Sequence, residues 1–60
     1  MNVYETTNFK VFKMKVNGKN YYFVGSKEKG GYLFVWQKQE FAVENCIELE
    51  KQLTEGTLII

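Results

Sequence analysis

The sequence predicts a small α+β domain: an antiparallel sheet of three to four strands, in the order β-β-β-α-(β), with one helix packed on one face. Three observations lead there. Two β-prone runs are joined by Asn17-Gly18, a continuous apolar run covers residues 32–36, and strand periodicity gives way to helix periodicity near Gln39. Sixty residues make a single domain, close to the lower limit of what folds unaided.

Residues 9–16, Phe-Lys-Val-Phe-Lys-Met-Lys-Val, alternate as a strand does. Asn17-Gly18 then precedes Tyr21-Tyr22-Phe23-Val24. Both turn residues accept the positive φ that a type I′ hairpin turn requires. A two-residue loop fixes the register, so Val16 faces Lys19, Met14 faces Tyr21, Lys13 faces Tyr22 and Phe12 faces Phe23. Successive side chains alternate across a sheet. Phe12, Met14, Tyr21 and Phe23 therefore share one face, which reads as core. Val11, Lys13, Lys15, Tyr22 and Val24 share the other, which reads as a half-apolar basic surface.

Ser26 to Gly31 is a polar loop. Tyr32-Leu33-Phe34-Val35-Trp36 follows as a third strand, either covered on both sides or with one covered and one functional face. From about Gln39, Ala42, Cys46, Leu49 and Leu53 form a helical stripe flanked by Val43 and Ile47, with Glu40, Glu44 and Glu48 on the opposite side. Gly56 stands where a helix C-cap glycine belongs, while the start carries no capping side chain. Thr57-Leu58-Ile59-Ile60 reads as a short last strand or as an apolar tail.

Composition narrows the chemistry. Cys46 is the only cysteine and there is no histidine, which removes an intrachain disulfide and a structural zinc site. The remaining supports for so short a chain are an aromatic core, at 17% Phe, Trp and Tyr, and self-association; a homodimer is left open. Residues 1–9 have neither the basic start nor the apolar run of an export signal, and no run approaches the ~20 apolar residues of a membrane span. The expected location is the cytoplasm, without membrane contact. Arg, Asp, His and Pro are all absent, a composition suited to an AT-rich coding sequence such as those of phage and other mobile elements.

No catalytic constellation emerges, and the expectation is a protein that is not an enzyme and carries no cofactor. Hydrolytic triads need an imidazole or an equivalent base, and Ser26, the only serine, lies in a loop. Cys46 on the apolar stripe reads as a small hydrophobe. Gly30-Gly31 precedes a strand, so no phosphate cradle forms at a helix start. Residues 1–38 hold seven lysines against two glutamates, and residues 39–60 hold five glutamates against one lysine. That asymmetry fits either two solvated faces of opposite sign or surfaces for charged partners.

Two functions from different classes remain. The first is a protein-binding module that docks on a larger protein and inhibits or adjusts it, through a sheet face, a free sheet edge or the acidic helix. The second is a nucleic-acid binder that uses lysines and aromatics on a sheet face. Candidate partner-binding residues are Lys13, Lys15, Tyr22, Tyr32, Phe34, Trp36, Glu40, Glu44 and Glu48. The competing assignment puts Tyr32, Phe34 and Trp36 in the core or a self-association surface, and leaves the lysines and glutamates merely solvated. Gly31-Tyr32-Leu33-Phe34-Val35 resembles the central-strand signature of RNA-recognition motifs, with Leu33 where that signature has a small residue. The β-β-β-α order is similar to that of small DNA-binding domains at the start of some integrases, whose arginines this chain lacks. Either resemblance implies nucleic acid as the partner.

Overall fold

A computed structural model describes residues 1–56 and gives a four-stranded antiparallel sheet with one helix across it. The elements in chain order are β1 (Asn2–Glu5), β2 (Phe9–Val16), β3 (Lys19–Ser26), β4 (Phe34–Trp36) and α1 (Gln39–Glu55). Strand order in space matches order in sequence, β1-β2-β3-β4, so each strand follows its neighbour by a local turn.

The β2–β3 hairpin takes the register its turn imposes. Asn17 and Gly18 have φ of 52° and 80°, and Val16↔Lys19, Met14↔Tyr21, Lys13↔Tyr22 and Phe12↔Phe23 are all paired. The right-handed twist of the flanking strands suits a type I′ turn, and positive φ at both central residues suits Asn-Gly. Helix α1 also lies where the periodicity places it. Lys38 stands at its N-cap without a side-chain hydrogen bond, and the backbone N–H of left-handed Gly56 donates to the Gln52 and Leu53 carbonyls.

The core lies on the sheet face opposite to the expected one. Val11 and Val24 are fully buried, Tyr22 is 8% exposed, and they pack with Phe9, Ala42, Cys46 and Leu49. Val3, Tyr4 and Trp36 close the edges of this cluster. Phe12, Met14, Tyr21 and Phe23 face away from the helix, and Met14 is 42% exposed. The reason is steric. Ala42 and Cys46 are small, so the helix settles closely over two valines, a fit that the larger aromatics of the other face do not offer. Lys15 misdirects the face assignment because it lies toward the free end of the hairpin, where Met14 through Asn20 are all exposed, and Lys13 because it is only half-buried at the rim of the core opposite Tyr22. Full burial of Phe9, Val11 and Val24 contributes about 1.5–3 kcal/mol each.

Three further differences concern the strands. β1 has no counterpart in the sequence reading: it is four residues long, and a bulge between Asn2 and Tyr4 breaks its pairing with β2. The third expected strand shortens to Phe34–Trp36, because Tyr32 and Leu33 belong to the loop that enters it. Thr57–Ile60, read as a possible final strand, lies outside the described residues.

That loop closes over the outer face at Gly25. A Cβ on Gly25 would collide with the Gly31 carbonyl oxygen and sit 3.0 Å from Tyr32 Cδ1. Glycine at this point therefore lets Tyr32 lie on Phe12 and Phe23, at ring-centroid distances of 6.3 and 5.2 Å. The Leu33 N–H donates to the Val24 carbonyl at 2.7 Å and anchors the far side of the loop.

Two carboxylates tie the β1–β2 region to the rest. Glu50 accepts from the Asn8 backbone N–H at 2.6 Å and from its side-chain amide at 2.7 Å, joining the β1–β2 turn to the helix. Glu5 pairs with Lys27 at 2.6 Å. The Asn8 donors hold the Glu50 carboxyl below its ordinary value near 4.5, and the Lys27 ammonium does the same for Glu5.

Two outcomes follow from these contacts. Gly25→Ala should lower the unfolding free energy by about 1–3 kcal/mol in urea titrations, because the loop must move to admit the methyl. A carboxyl whose folded pKa is depressed stabilises the fold above its unfolded pKa, and that contribution disappears as pH falls through the lower folded value. Thermal melts should therefore lose stability below about pH 4.5, and Glu50→Gln should flatten that acid limb, leaving the part due to Glu5.

Candidate functional site

The sequence-derived candidates do not come together as one site. Tyr22 is in the core and is thereby removed from any surface. Lys13 and Lys15 share its side of the sheet, Lys13 half-buried directly opposite Tyr22 and Lys15 nearer the hairpin turn, where it and its partner Asn20 are both exposed. The lysine–aromatic platform read from residues 13, 15 and 22 is not formed, because its aromatic member is covered by α1. Tyr32 is on the outer face. Phe34 and Trp36 pair with Val24 and Tyr22 on the helix side, at the edge of the sheet. This edge position, with Tyr32 outside the strand, differs from the central strand that residues 31–35 resemble in sequence.

Trp36, Glu44 and Glu48 are brought together. With Phe41 and Asn45 they line an open groove of about 420 Å³ between β4 and the flank of α1. Positions 41, 44, 45 and 48 fall on one flank of a helix by its 3.6-residue period, beside the stripe of Ala42, Cys46 and Leu49 that meets the core. The walls are held in place. The Trp36 indole N–H donates to Asn45 Oδ1 at 3.0 Å, and the Phe41 ring stands edge-on to Trp36 at 5.9 Å. The Lys38 ammonium lies 5.7 Å from the centre of the Phe41 ring. Glu48 accepts from Gln52 Nε2 at 3.2 Å, and neither Glu44 nor Glu48 forms a salt bridge among the described residues. Glu40 is exposed in the first turn of the helix and is not among the groove's lining residues.

The second surface is the outer face of the sheet. Phe12, Met14, Tyr21, Phe23, Tyr32 and Val35 form it, and Val35 is 54% exposed. A shallow depression of about 210 Å³ lies at its β4 end, between Phe23, Tyr32, Leu33, Phe34 and Val35. No element among the described residues covers this face. Sequence reasoning assigned Phe12, Met14, Tyr21 and Phe23 to the core and so missed them as surface. It also passed over Phe41 and Asn45. The available signal was Phe41 itself, a large aromatic beside the helical stripe and outside it.

Cys46 is fully buried beneath the helix, with the Thr6 hydroxyl 3.9 Å from its sulfur. Burial pushes its thiol above the ordinary value, so little thiolate forms near neutral pH. No three His, Cys, Asp or Glu side chains among the described residues converge as metal ligands, and no described helix is long and apolar enough to cross a membrane.

The fold and its surfaces define a small α+β domain, a four-stranded antiparallel sheet bearing one helix, with one sheet face uncovered and an acidic–aromatic groove at its edge. No protein-family model, curated protein or solved structure matches it.

The buried thiol gives a direct probe of this arrangement. Disulfide-exchange reagents should modify Cys46 in the native protein only through opening of the helix–sheet interface. The modification rate should rise in step with unfolding across a urea titration, and rapid labelling without denaturant would contradict the packing.

Proposed function

We propose that this chain is a non-catalytic protein-binding module that docks on a larger protein and inhibits or adjusts it. The observation that carries this reading is the uncovered outer face of the sheet. Phe12, Met14, Tyr21, Phe23, Tyr32 and Val35 lie together there, on the side turned away from α1. Large contiguous apolar patches on small proteins mark interaction sites. Aromatic residues and methionine are also enriched at interfaces. Along β2, β3 and β4 the paired positions of this face carry two charges, Lys10 beside Gly25 at one end and Lys19 near the hairpin turn at the other, with only uncharged side chains between them. The matching partner surface is therefore apolar and largely uncharged. Such a surface contributes affinity by being removed from water and specificity by shape.

Against the nucleic-acid alternative stands the burial of Tyr22, one of the aromatics it would use beside Lys13 and Lys15.

Met14→Glu and Val35→Glu place carboxylates on exposed positions of the face and leave the core untouched. A partner from the source cell should bind the parent chain and be lost with this double variant, while Lys51→Glu on the helix retains it. Hydrogen exchange in the purified complex should slow at β2 and β3. Light scattering supplies the counter-test. A stable dimer that the double variant converts to monomer would assign the face to a second copy and overturn docking on a larger protein.

A further inference from the structure

We infer that the groove between β4 and α1 is a second binding site, one that accepts an extended, basic segment of a protein as an added strand. The inference goes beyond the outer-face reading and uses none of its residues.

β4 is the last strand in the order β1-β2-β3-β4 and pairs with β3 at only three positions. Among the described residues no strand pairs with its other side, whose backbone N–H and C=O groups are placed for another strand. An added strand lies about 4.8 Å beyond its neighbour, with alternate side chains on each face. The flank of α1 that carries Phe41, Glu44, Asn45 and Glu48 borders the same space as Trp36. A strand joined to β4 would thus direct alternate side chains into the groove, between the sheet edge and the helix.

The chemistry of the lining selects those side chains. Trp36 and Phe41 supply aromatic faces, and the chain's own Lys38 ammonium already rests over Phe41. Aromatic rings attract ammonium and guanidinium groups through their negative faces. Glu44 and Glu48, one turn apart on the groove wall, supply two carboxylates that no described lysine neutralises as a salt bridge. The fixed Trp36–Asn45 hydrogen bond means that this wall is built before a ligand arrives. Lysine or arginine at alternate positions of the added segment meets both features. The apolar, uncharged Thr57-Leu58-Ile59-Ile60 of this chain meets neither.

Trp36 is the only tryptophan in the sequence, so its fluorescence reports on the groove directly. The probe is a short capped peptide alternating threonine with arginine, compared with the same peptide bearing glutamate. The arginine peptide should shift Trp36 emission saturably, with an affinity that falls as salt rises. Glu44→Gln with Glu48→Gln should weaken binding by roughly tenfold or more, since charge-assisted contacts are lost while both positions stay solvent-exposed. Met14→Glu on the outer face should leave the titration unchanged, which separates this site from the outer-face docking surface. An equal response to the glutamate peptide, no saturable response, or no effect of the double glutamine variant would overturn the inference. Tighter binding after removal of residues 57–60 would do so too, by giving the groove to the chain's own end.

Discussion

The seating of α1 on Val11 and Val24 is the interaction on which the rest of the structure depends. Ala42 and Cys46 bring the helix axis close to the sheet, and their small side chains leave two valines and Phe9 completely shielded from water. One helix covers one face of a four-stranded sheet. Choosing the valine face commits Phe12, Tyr21 and Phe23 to the other side, where solvent competes for them. The 27–33 loop partly answers that exposure by laying Tyr32 across Phe12 and Phe23, and the close approach of its backbone makes residue 25 a glycine.

The same seating creates the groove. Because Ala42, Cys46 and Leu49 meet the core and Glu50 reaches Asn8 beyond the β1–β2 turn, the opposite flank of the helix faces the β4 edge. The two surfaces then differ in kind. The outer face is broad, apolar and poor in charge, suited to a shape-matched contact. The groove is narrow, aromatic and acidic, suited to reading a side chain. A domain of this size has little surface to spare, and here both sides of the sheet carry a distinct chemical character.

Much of the fold was legible in the residues, and the parts that were not have physical reasons. Asn17-Gly18 encodes its hairpin locally, so the pairing from Val16↔Lys19 to Phe12↔Phe23 can be read without the rest of the chain. The helix is equally legible, since its period and its glycine cap are local properties. The choice of core face is different. Both faces of β2 and β3 are half apolar, and only the size of the helix residues above them decides between the two. Strand β1 escapes notice because four residues with a bulge show no period. Of the candidate site, Trp36, Glu44 and Glu48 were legible by type, and their convergence was not, since it depends on how the helix crosses the sheet.

The charges of α1 suit its own dipole only in part, with Glu40 in the first turn as the favourable one. Lys38 stands at the positive N-terminal end, the last turn has no basic residue, and Glu50 and Glu55 lie toward the negative end. A helix macrodipole favours the reverse of these placements, and most helical stability in proteins comes from packing of an amphipathic face. The helix therefore owes its existence to the surface it docks on. The Asn-Gly hairpin needs only neighbours in sequence, and such hairpins close in about 1–10 μs. Glu50 must meet Asn8 across 42 residues of chain. The sheet thus supplies the surface against which this helix is held, through the buried stripe of Ala42, Cys46 and Leu49 and the Glu50–Asn8 tie.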